Sequence, residues 1–548
     1  MARCVLRAGA MARSPLFAKL TRSLRSARAL HRGGVPTAEG LEAARARRIE
    51  QSRRQFLAAA GGVAAGSALV AHPRAVRAAQ PVNVDVAIVG AGLAGLVCAD
   101  RLEAAGVVPT LYDASYRVGG RCFTLGGEFG GPVTFPGQVA ERGGEFIDNL
   151  HKTMLAYAQE FDLEREDVTK DDGDVFYHFG GALVDEETIV DEYRDFVDAM
   201  HDDLQDSSGA PTAGSHNDAD VILDQTSLAE YLVTRGAGPN LYQAIEQAYV
   251  AEYGLEIDQQ SSLNFLLFIH ADKRSRFTPF GVFSDERWHL VGGNEQIPAR
   301  IFDRLDAPTW LDHRLVKAKK TAAGRVELTF KRGNKTVVKT HDAVVFATPF
   351  SVLRDVALDP SLGLSAEKLN AITELGYGMN AKTMLGFDGR PWVAAGCNGA
   401  TYSDLANLQA TWETNPHNAS ATRGIITDYA SGIRGATLGS VALQTAASQF
   451  LADFDTVVPG AAAAATRLAG NKLRVHREHW PSNPLTKGSY TCYLPGQFTT
   501  IAGLEGEQAA NVYFAGEHAN SFYDWQGFME GACLSGIDAA DAILDDWG

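Results

Sequence analysis

Apolar and polar positions along the chain separate short buried runs from longer amphipathic ones. Val84-Asp85-Val86-Ala87-Ile88-Val89 is apolar at five of its six positions and predicts a buried β-strand. Gly90-Ala91-Gly92-Leu93-Ala94-Gly95 then opens a helix that runs to about Ala105 and stops at Gly106. A second strand, Val108 to Tyr112, ends at Asp113. Further on, Leu315 to Lys320, Val326 to Lys331 and Thr336 to Lys339 read as a short antiparallel meander, and Ala343 to Ala347 as another buried strand. Asn511 to Phe514 predicts the last strand, before a closing helix opened by Gly527-Phe528-Met529-Glu530-Gly531-Ala532. Helical patterns cover Glu187 to Leu204 and Ser227 to Tyr249, with a loop rich in Ser, Gly, Asp and Asn between Asp206 and Asp220. Buried strands alternating with helices predict an α/β chain, and 548 residues suffice for two or three folded units.

Charge is unevenly spread. The formal net charge is −16, yet residues 1–80 carry 15 Lys/Arg against 3 Asp/Glu, which leaves 35 against 63 for the rest. An acidic body argues against nucleic acid or an anionic membrane as partner. It suits a cationic substrate, and equally a solubilising surface. In the basic arm, Ser52-Arg53-Arg54-Gln55-Phe56-Leu57 precedes an uncharged Ala/Gly-rich run to Val70 that is too short and too weakly apolar to span a bilayer. Small residues follow at Val76-Arg77-Ala78-Ala79. This order resembles a bacterial twin-arginine export signal cleaved after Ala78 or Ala79, which implies the twin-arginine export machinery as a partner and a periplasmic or secreted protein. Leu16, Leu20, Leu24 and Ala27 share one helical face, so the arm also suits docking on the body. The six cysteines include no Cys-x-x-Cys pair, and no disulfide framework or zinc site is implied.

Between a strand and a helix, the glycine pattern carries a mechanism. Gly90 permits a tight turn, Gly92 lets a pyrophosphate approach the backbone, and Gly95 lets helix and strand pack closely. The helix N-terminus then favours the phosphates, and Asp113 would accept hydrogen bonds from ribose hydroxyls. These residues leave NAD and FAD both open. The next segment, Asp113-Ala114-Ser115-Tyr116-Arg117-Val118-Gly119-Gly120-Arg121, resembles the acid-Ala-x-x-Arg-x-Gly-Gly-Arg segment of FAD enzymes in the amine oxidase, phytoene desaturase and protoporphyrinogen oxidase superfamily, with Asp where Glu is commoner. Glu141-Arg142-Gly143-Gly144-Glu145-Phe146-Ile147, Gly292-Gly293-Asn294-Glu295-Gln296, Asn511 to His518 and the closing helix match further segments in the same order.

Over about residues 84–548 the chain thus resembles the flavin-containing amine oxidases, of the monoamine oxidase and bacterial L-amino acid oxidase type. The resemblance implies a Rossmann-like FAD-binding domain of the amine oxidase (glutathione-reductase-like) type, built from residues 82–160, 289–349 and 476–548. An α+β substrate-binding domain with a helical insertion would take 161–288 and 350–475, after an export arm over 1–80. Gly90, Gly92, Gly95, Asp113, Ala114, Arg117, Gly120, Arg121, Gly144, Glu145, Val316, Gly516, Glu517 and Met529 would lie against FAD.

The same resemblance places the chemistry. Lys382, in Asn380-Ala381-Lys382-Thr383-Met384-Leu385, matches a lysine bound through water to flavin N5, where an ammonium assists electron transfer to molecular oxygen. Trp480-Pro481 and Gly488-Ser489-Tyr490 match the Trp and Gly-x-Tyr segments, and Tyr490 with Phe528 would wall an aromatic cage. Phe528 replaces the tyrosine of monoamine oxidases. Ser489 stands where some members carry a cysteine bonded to the flavin, so the FAD is expected to be non-covalent. The implied reaction moves hydride from an amine's Cα to the flavin, gives an imine that hydrolyses to a carbonyl compound and ammonia, and yields hydrogen peroxide.

The substrate is less constrained. Many L-amino acid oxidases carry an arginine beside the Gly-Gly segment, whereas Gly-Gly-Glu-Phe-Ile has none. Glu145 is a candidate to attract a second ammonium or to hydrogen-bond the flavin loop, Arg287 to clasp a carboxylate, and Trp480 and Trp525 to line the substrate. An L-amino acid or a small-molecule primary amine is expected, and a homodimer is compatible with the sequence. A polyamine or diamine oxidase, an amine dehydrogenase with another acceptor, a desaturase-type enzyme and a non-catalytic flavoprotein remain as alternatives.

Overall fold

A computed structural model describes residues 15–41, 83–170, 173–270, 286–416, 422–520 and 525–548. At its centre is a five-stranded sheet in the order Val512–Phe514, Ala343–Phe346, Val86–Val89, Thr110–Tyr112, Thr309–Trp310, with every neighbouring pair parallel. Val86–Val89 and Ala343–Phe346 are buried along their whole length, as parallel strands covered on both faces must be. The helix Leu93–Ala104 follows the first glycine turn, and the closing helix Met529–Trp547 packs on it. Open parallel sheets bind ligands at the C-terminal ends of their strands, and those ends here carry Gly90, Asp113, Ala347 and Ala515.

The expected meander is formed by Arg314–Lys320, Val326–Arg332 and Lys335–His341, with Ala357–Leu358 added along its edge. Phe330 stacks on Tyr112 with ring centroids 4.4 Å apart, and Tyr112 Oη lies 3.0 Å from His341 Nε2, which ties this sheet to the parallel one. A bulge between Leu315 and Lys317 leaves Val316 out of the ladder.

A seven-stranded sheet runs in the order Val475–His479, Ala381–Phe387, Gly424–Ala430, Leu408–Glu413, Cys397–Leu405, Asp174–Phe179, Ala182–Val184. Only Cys397–Leu405 and Asp174–Phe179 pair in parallel. The described residues therefore form the mixed α/β architecture that the pattern predicts. Among the helices beside this sheet, Glu186–Asp206 follows the amphipathic reading. The pattern over Ser227 to Tyr249 instead folds as two helices, Leu228–Thr234 and Pro239–Tyr253. Gly236 at φ 77° ends the first, and Pro239 starts the second, where its missing N–H costs nothing.

The arm helix Pro15–Gly33 lies against Glu186–Asp206 and Pro239–Tyr253, and buries Leu20, Leu24 and Ala27 in the same core, joined by Leu41. Ser23 hydrogen-bonds Glu186 and Thr37 hydrogen-bonds Asp191, while Arg194 Nη1 donates to Thr37 Oγ1 at 2.6 Å. The apolar face of the arm is thus a docking face. The Arg53-Arg54 pair and the stretch from Val76 to Ala79 lie outside the described residues. A carboxylate forced into this apolar contact loses its hydration, which Arg28 one turn on offsets only in part, so Leu24→Asp is expected to release the arm, and trypsin then cuts at its arginines at least about tenfold faster. An unchanged digestion pattern would refute the docking.

Candidate active site

Loops at the ends of four parallel strands open into one continuous cavity, with about 1880 Å³ of non-atom space when its open mouth is included. Gly90, Gly92, Asp113, Ala114, Arg117, Gly120 and Arg121 line one stretch of it. Gly144, Glu145, Lys382, Trp480, Tyr490, Gly516, Glu517, Phe528 and Met529 line the remainder.

The first stretch fits an anionic dinucleotide. Gly92 starts the helix Leu93–Ala104 without a side-chain cap, and Phe528 starts Met529–Trp547 in the same way, so the first-turn N–H groups of two helices are left to a ligand. Gly92 and Gly120 face each other: a Cβ on Gly120 would stand 3.2 Å from the Cα of Gly92, on the path the diphosphate needs. Asp113 Oδ2 accepts from Ala91 N and Oδ1 from Ser115 N, both at 2.7 Å, which leaves further lone pairs for ribose hydroxyls. Burial pushes this carboxyl up from its ordinary value, against those two N–H bonds.

The two arginines serve the protein first. Arg117 turns back to donate to the carbonyls of Val118 and Gly120, each at 2.8 Å, with its guanidinium 3.7 Å from the Phe123 ring centroid. Arg121 Nη1 donates to Ser489 O at 2.7 Å and to Glu517 Oε1 at 2.8 Å. Burial alone would raise Glu517, but the Arg121 and His518 charges together with the hydrogen bonds from Arg121 and Thr491 outweigh it and hold the carboxyl below its ordinary range.

Next in sequence, His518 is buried and its two ring nitrogens have no hydrogen-bond partner among the described residues. Burial lowers it to about 3. Between that value and the unfolded value near 6.5 only the unfolded chain takes the proton, so stability falls as pH falls through this window. His518→Phe is expected to spare about 2 kcal/mol of the stability lost by pH 5. Urea titrations at pH 7 and pH 5 read this, and equal losses in both proteins would contradict it.

The other stretch gathers the chemistry. Lys382 sits in Ala381–Phe387, a strand buried at every position, between Tyr429 and Glu478 on its two neighbours. Its Nζ donates to Glu141 O at 3.1 Å, Gly143 O at 2.9 Å and Glu145 Oε2 at 2.7 Å. Glu145 Oε1 accepts from Trp412 Nε1 at 3.0 Å. Burial pushes nearby Glu141 up to about 8, and the carboxylate that ion-pairs with Lys382 is that of Glu145. Tyr490 Oη lies 2.8 Å from Tyr429 Oη. Trp412 meets Tyr429 at 5.2 Å and Phe146 at 6.1 Å, both edge to face, so aromatic rings build this wall. Trp480 lines the cavity and anchors the glycine loop through Nε1–H to Arg142 O at 2.8 Å.

Four expected residues lie off the cavity wall. Gly95 is buried in the helix behind the turn, where its place is to let the turn close. Val316 sits in the bulge, while Arg314 and Leu315 reach the cavity. Arg287 is no free carboxylate clasp: its guanidinium holds Asp167 Oδ2 at 2.8 Å and leans on Trp288. Trp525 backs Phe528 at 5.8 Å and meets His151 at 4.5 Å, so it supports the cage wall from behind. Glu145, a candidate for a second ammonium or for the flavin loop, pairs with the ammonium of Lys382. Reading the sequence missed Trp412 and Tyr429, which reach the wall through strand pairing, and Glu286, adjacent to Arg287, which lines the cavity at φ 42° with its N–H on Asp148 Oδ1 at 2.5 Å.

Comparison with known proteins gives the family and the fold. Residues 93–544 match the family described as flavin containing amine oxidoreductase. The L-amino-acid oxidase of Naja atra is 23% identical over 473 residues, covering 83% of this chain and 87% of that protein. That of Siganus canaliculatus is 24% identical over 483 residues, covering 84% and 85%. In fold, cyclohexylamine oxidase from Brevibacterium oxydans IH-35A superposes with a TM-score of 0.70 at 19% identity, covering 85% of this chain and 99% of that one. Putrescine oxidase bound to putrescine gives 0.67 at 19% identity, covering 84% and 99%. With the match extending over most of its length, the chain belongs to the flavin-containing amine oxidoreductases, and is an oxidoreductase of the amine oxidase and L-amino-acid oxidase family.

Proposed function

We propose that the protein oxidises a primary amine or L-amino acid with FAD, gives an imine that hydrolyses to a carbonyl compound and ammonia, and passes the electrons to oxygen as hydrogen peroxide. The observation that carries this reading is one cavity that joins a dinucleotide cradle to Lys382, Tyr490 and Phe528. FAD, when bound, supplies the two-electron acceptor. The chain's own residues bind and orient. Gly92, Gly120 and the two helix N-termini suit the diphosphate, and Asp113 the ribose. The rings of Phe146, Trp412, Tyr429, Tyr490 and Phe528 exclude water from the amine, and desolvation favours its neutral form, which alone has the electrons to release.

Between the two substrate classes, the described residues favour the primary amine. Arg121 is held by Glu517, Arg117 by its own loop and Arg314 by Asp355 at 3.3 Å, so every cavity arginine among the described residues already has a protein partner. A diamine is the second reading, because Glu286 brings a carboxylate to the wall. Anaerobic mixing with a panel of monoamines, diamines and L-amino acids, followed by air and a peroxide assay, decides. Bleaching by a primary amine with peroxide on re-aeration is expected; a flavin band that no member of the panel bleaches would end the reading.

Non-covalent FAD is part of the proposal. Ser489 has no thiol and hydrogen-bonds Asn380, and buried Cys492 is not part of the cavity lining. Acid precipitation is expected to leave a yellow supernatant over a white pellet, and a yellow pellet would reverse this.

A further inference from the structure

An ammonium has three donors, and Lys382 spends all three on protein acceptors: two backbone carbonyls and Glu145 Oε2. The other oxygen of Glu145 is held by the Trp412 indole, so the carboxylate is clamped between ring and ammonium. Side-chain exposure is 6% for Lys382 and 4% for Glu145, too little for solvent or salt to screen the pair. A cation beside a cavity assists oxygen by its field, because the first electron that oxygen accepts makes an anion. A carboxylate 2.7 Å from that cation cancels much of the field at the wall.

We propose that Glu145 is a positioning residue that governs how readily this protein uses oxygen: it fixes Lys382 in the cavity wall and offsets its charge, which slows electron delivery to oxygen. The proposal rests on the reading of the cavity as that of a flavin amine oxidase. The overall step is unaltered, with oxygen taking two electrons and two protons to become hydrogen peroxide. The residue sets its rate through the charge that the developing anion meets.

The test uses the holoenzyme and the variants Glu145→Gln, Lys382→Met and the two combined. Sulfite, an anion that bleaches oxidised flavin without substrate or oxygen, reads the local charge as a dissociation constant. Removing the carboxylate is expected to tighten sulfite at least about tenfold, and to raise the ratio of the oxygen rate constant to the amine-reduction rate at least about fivefold. Lys382→Met is expected to weaken sulfite, with the double variant recovering at least about tenfold of that loss. A residue that merely braces Lys382 would change none of this in the Lys382→Met background. Unchanged or weaker sulfite binding in Glu145→Gln overturns the proposal. If that variant does not accumulate with flavin, equal affinities in Lys382→Met and the double variant overturn it. If no amine reduces the flavin, the proposed function falls while the sulfite series still decides the role of Glu145.

Discussion

Lys382→Met is expected to slow the reaction with oxygen at least about a hundredfold, the scale lost when one preorganised electrostatic group is taken from a closed site. Methionine keeps the length and fills the space, but it has neither charge nor donors. Flavin bleaching by the amine is expected to fall far less, because the aromatic wall of Tyr429, Tyr490, Trp412 and Phe528, the proposed amine site, stays in place. Stopped-flow traces of the two half-reactions separate the effects, and equal slowing of both would defeat the assignment. The variant also leaves Glu145 buried without its counter-ion, which costs about 3–5 kcal/mol and is read as a lower Tm. Adding Glu145→Gln is expected to return much of that stability, since removing both members of a buried pair is cheaper than removing one.

The second large effect lies at the other end of the cavity. A Cβ on Gly95 would overlap the carbonyl oxygen of Gly90 and stand 3.2 Å from Ile88 Cγ2. Neither neighbour can yield. Gly90 is fixed at φ 112°, with its N–H on Tyr112 O at 2.7 Å, and Ile88 belongs to the fully buried central strand. Gly95→Ala must therefore push helix and strand apart, at about 1–3 kcal/mol or more, and displaces the donors meant for the diphosphate. The purified variant is expected to be colourless or nearly so, with the ratio of flavin to protein absorbance below about a tenth of wild type. A fully yellow Gly95→Ala protein would mean that the turn is not the cofactor's seat.

What the sequence made legible was local. The first strand, the glycine turn, the helix and Asp113 lie within thirty residues, and their spacing alone dictates how they fold. The meander was legible because alternation survives wherever one face is solvated. Lys382 stood out because a lysine inside an unbroken apolar strand must have a partner. That partner could not be read, because Glu145, Trp412 and Tyr429 meet Lys382 only through strand register and a loop more than two hundred residues away. Arg287 and Glu286 show the same limit at a single position. Whichever of two neighbours faces the cavity depends on a backbone turned to positive φ, and residue type gave no sign of that. The bulge at Val316 shifted one expected contact by a residue for a similar reason.

The central sheet has a consequence for how the protein is made. Its innermost strand Val86–Val89 is made first, that strand's neighbour Ala343–Phe346 much later, and the edge strand Val512–Phe514 and the closing helix later still. Before Val512–Trp547 is made, the sheet lacks one edge strand and the helix that packs on Leu93–Ala104. A cradle that draws on strands so far apart in sequence closes only once Val512–Trp547 has been made, so a chain lacking that stretch is expected to load no flavin, read as loss of the yellow colour.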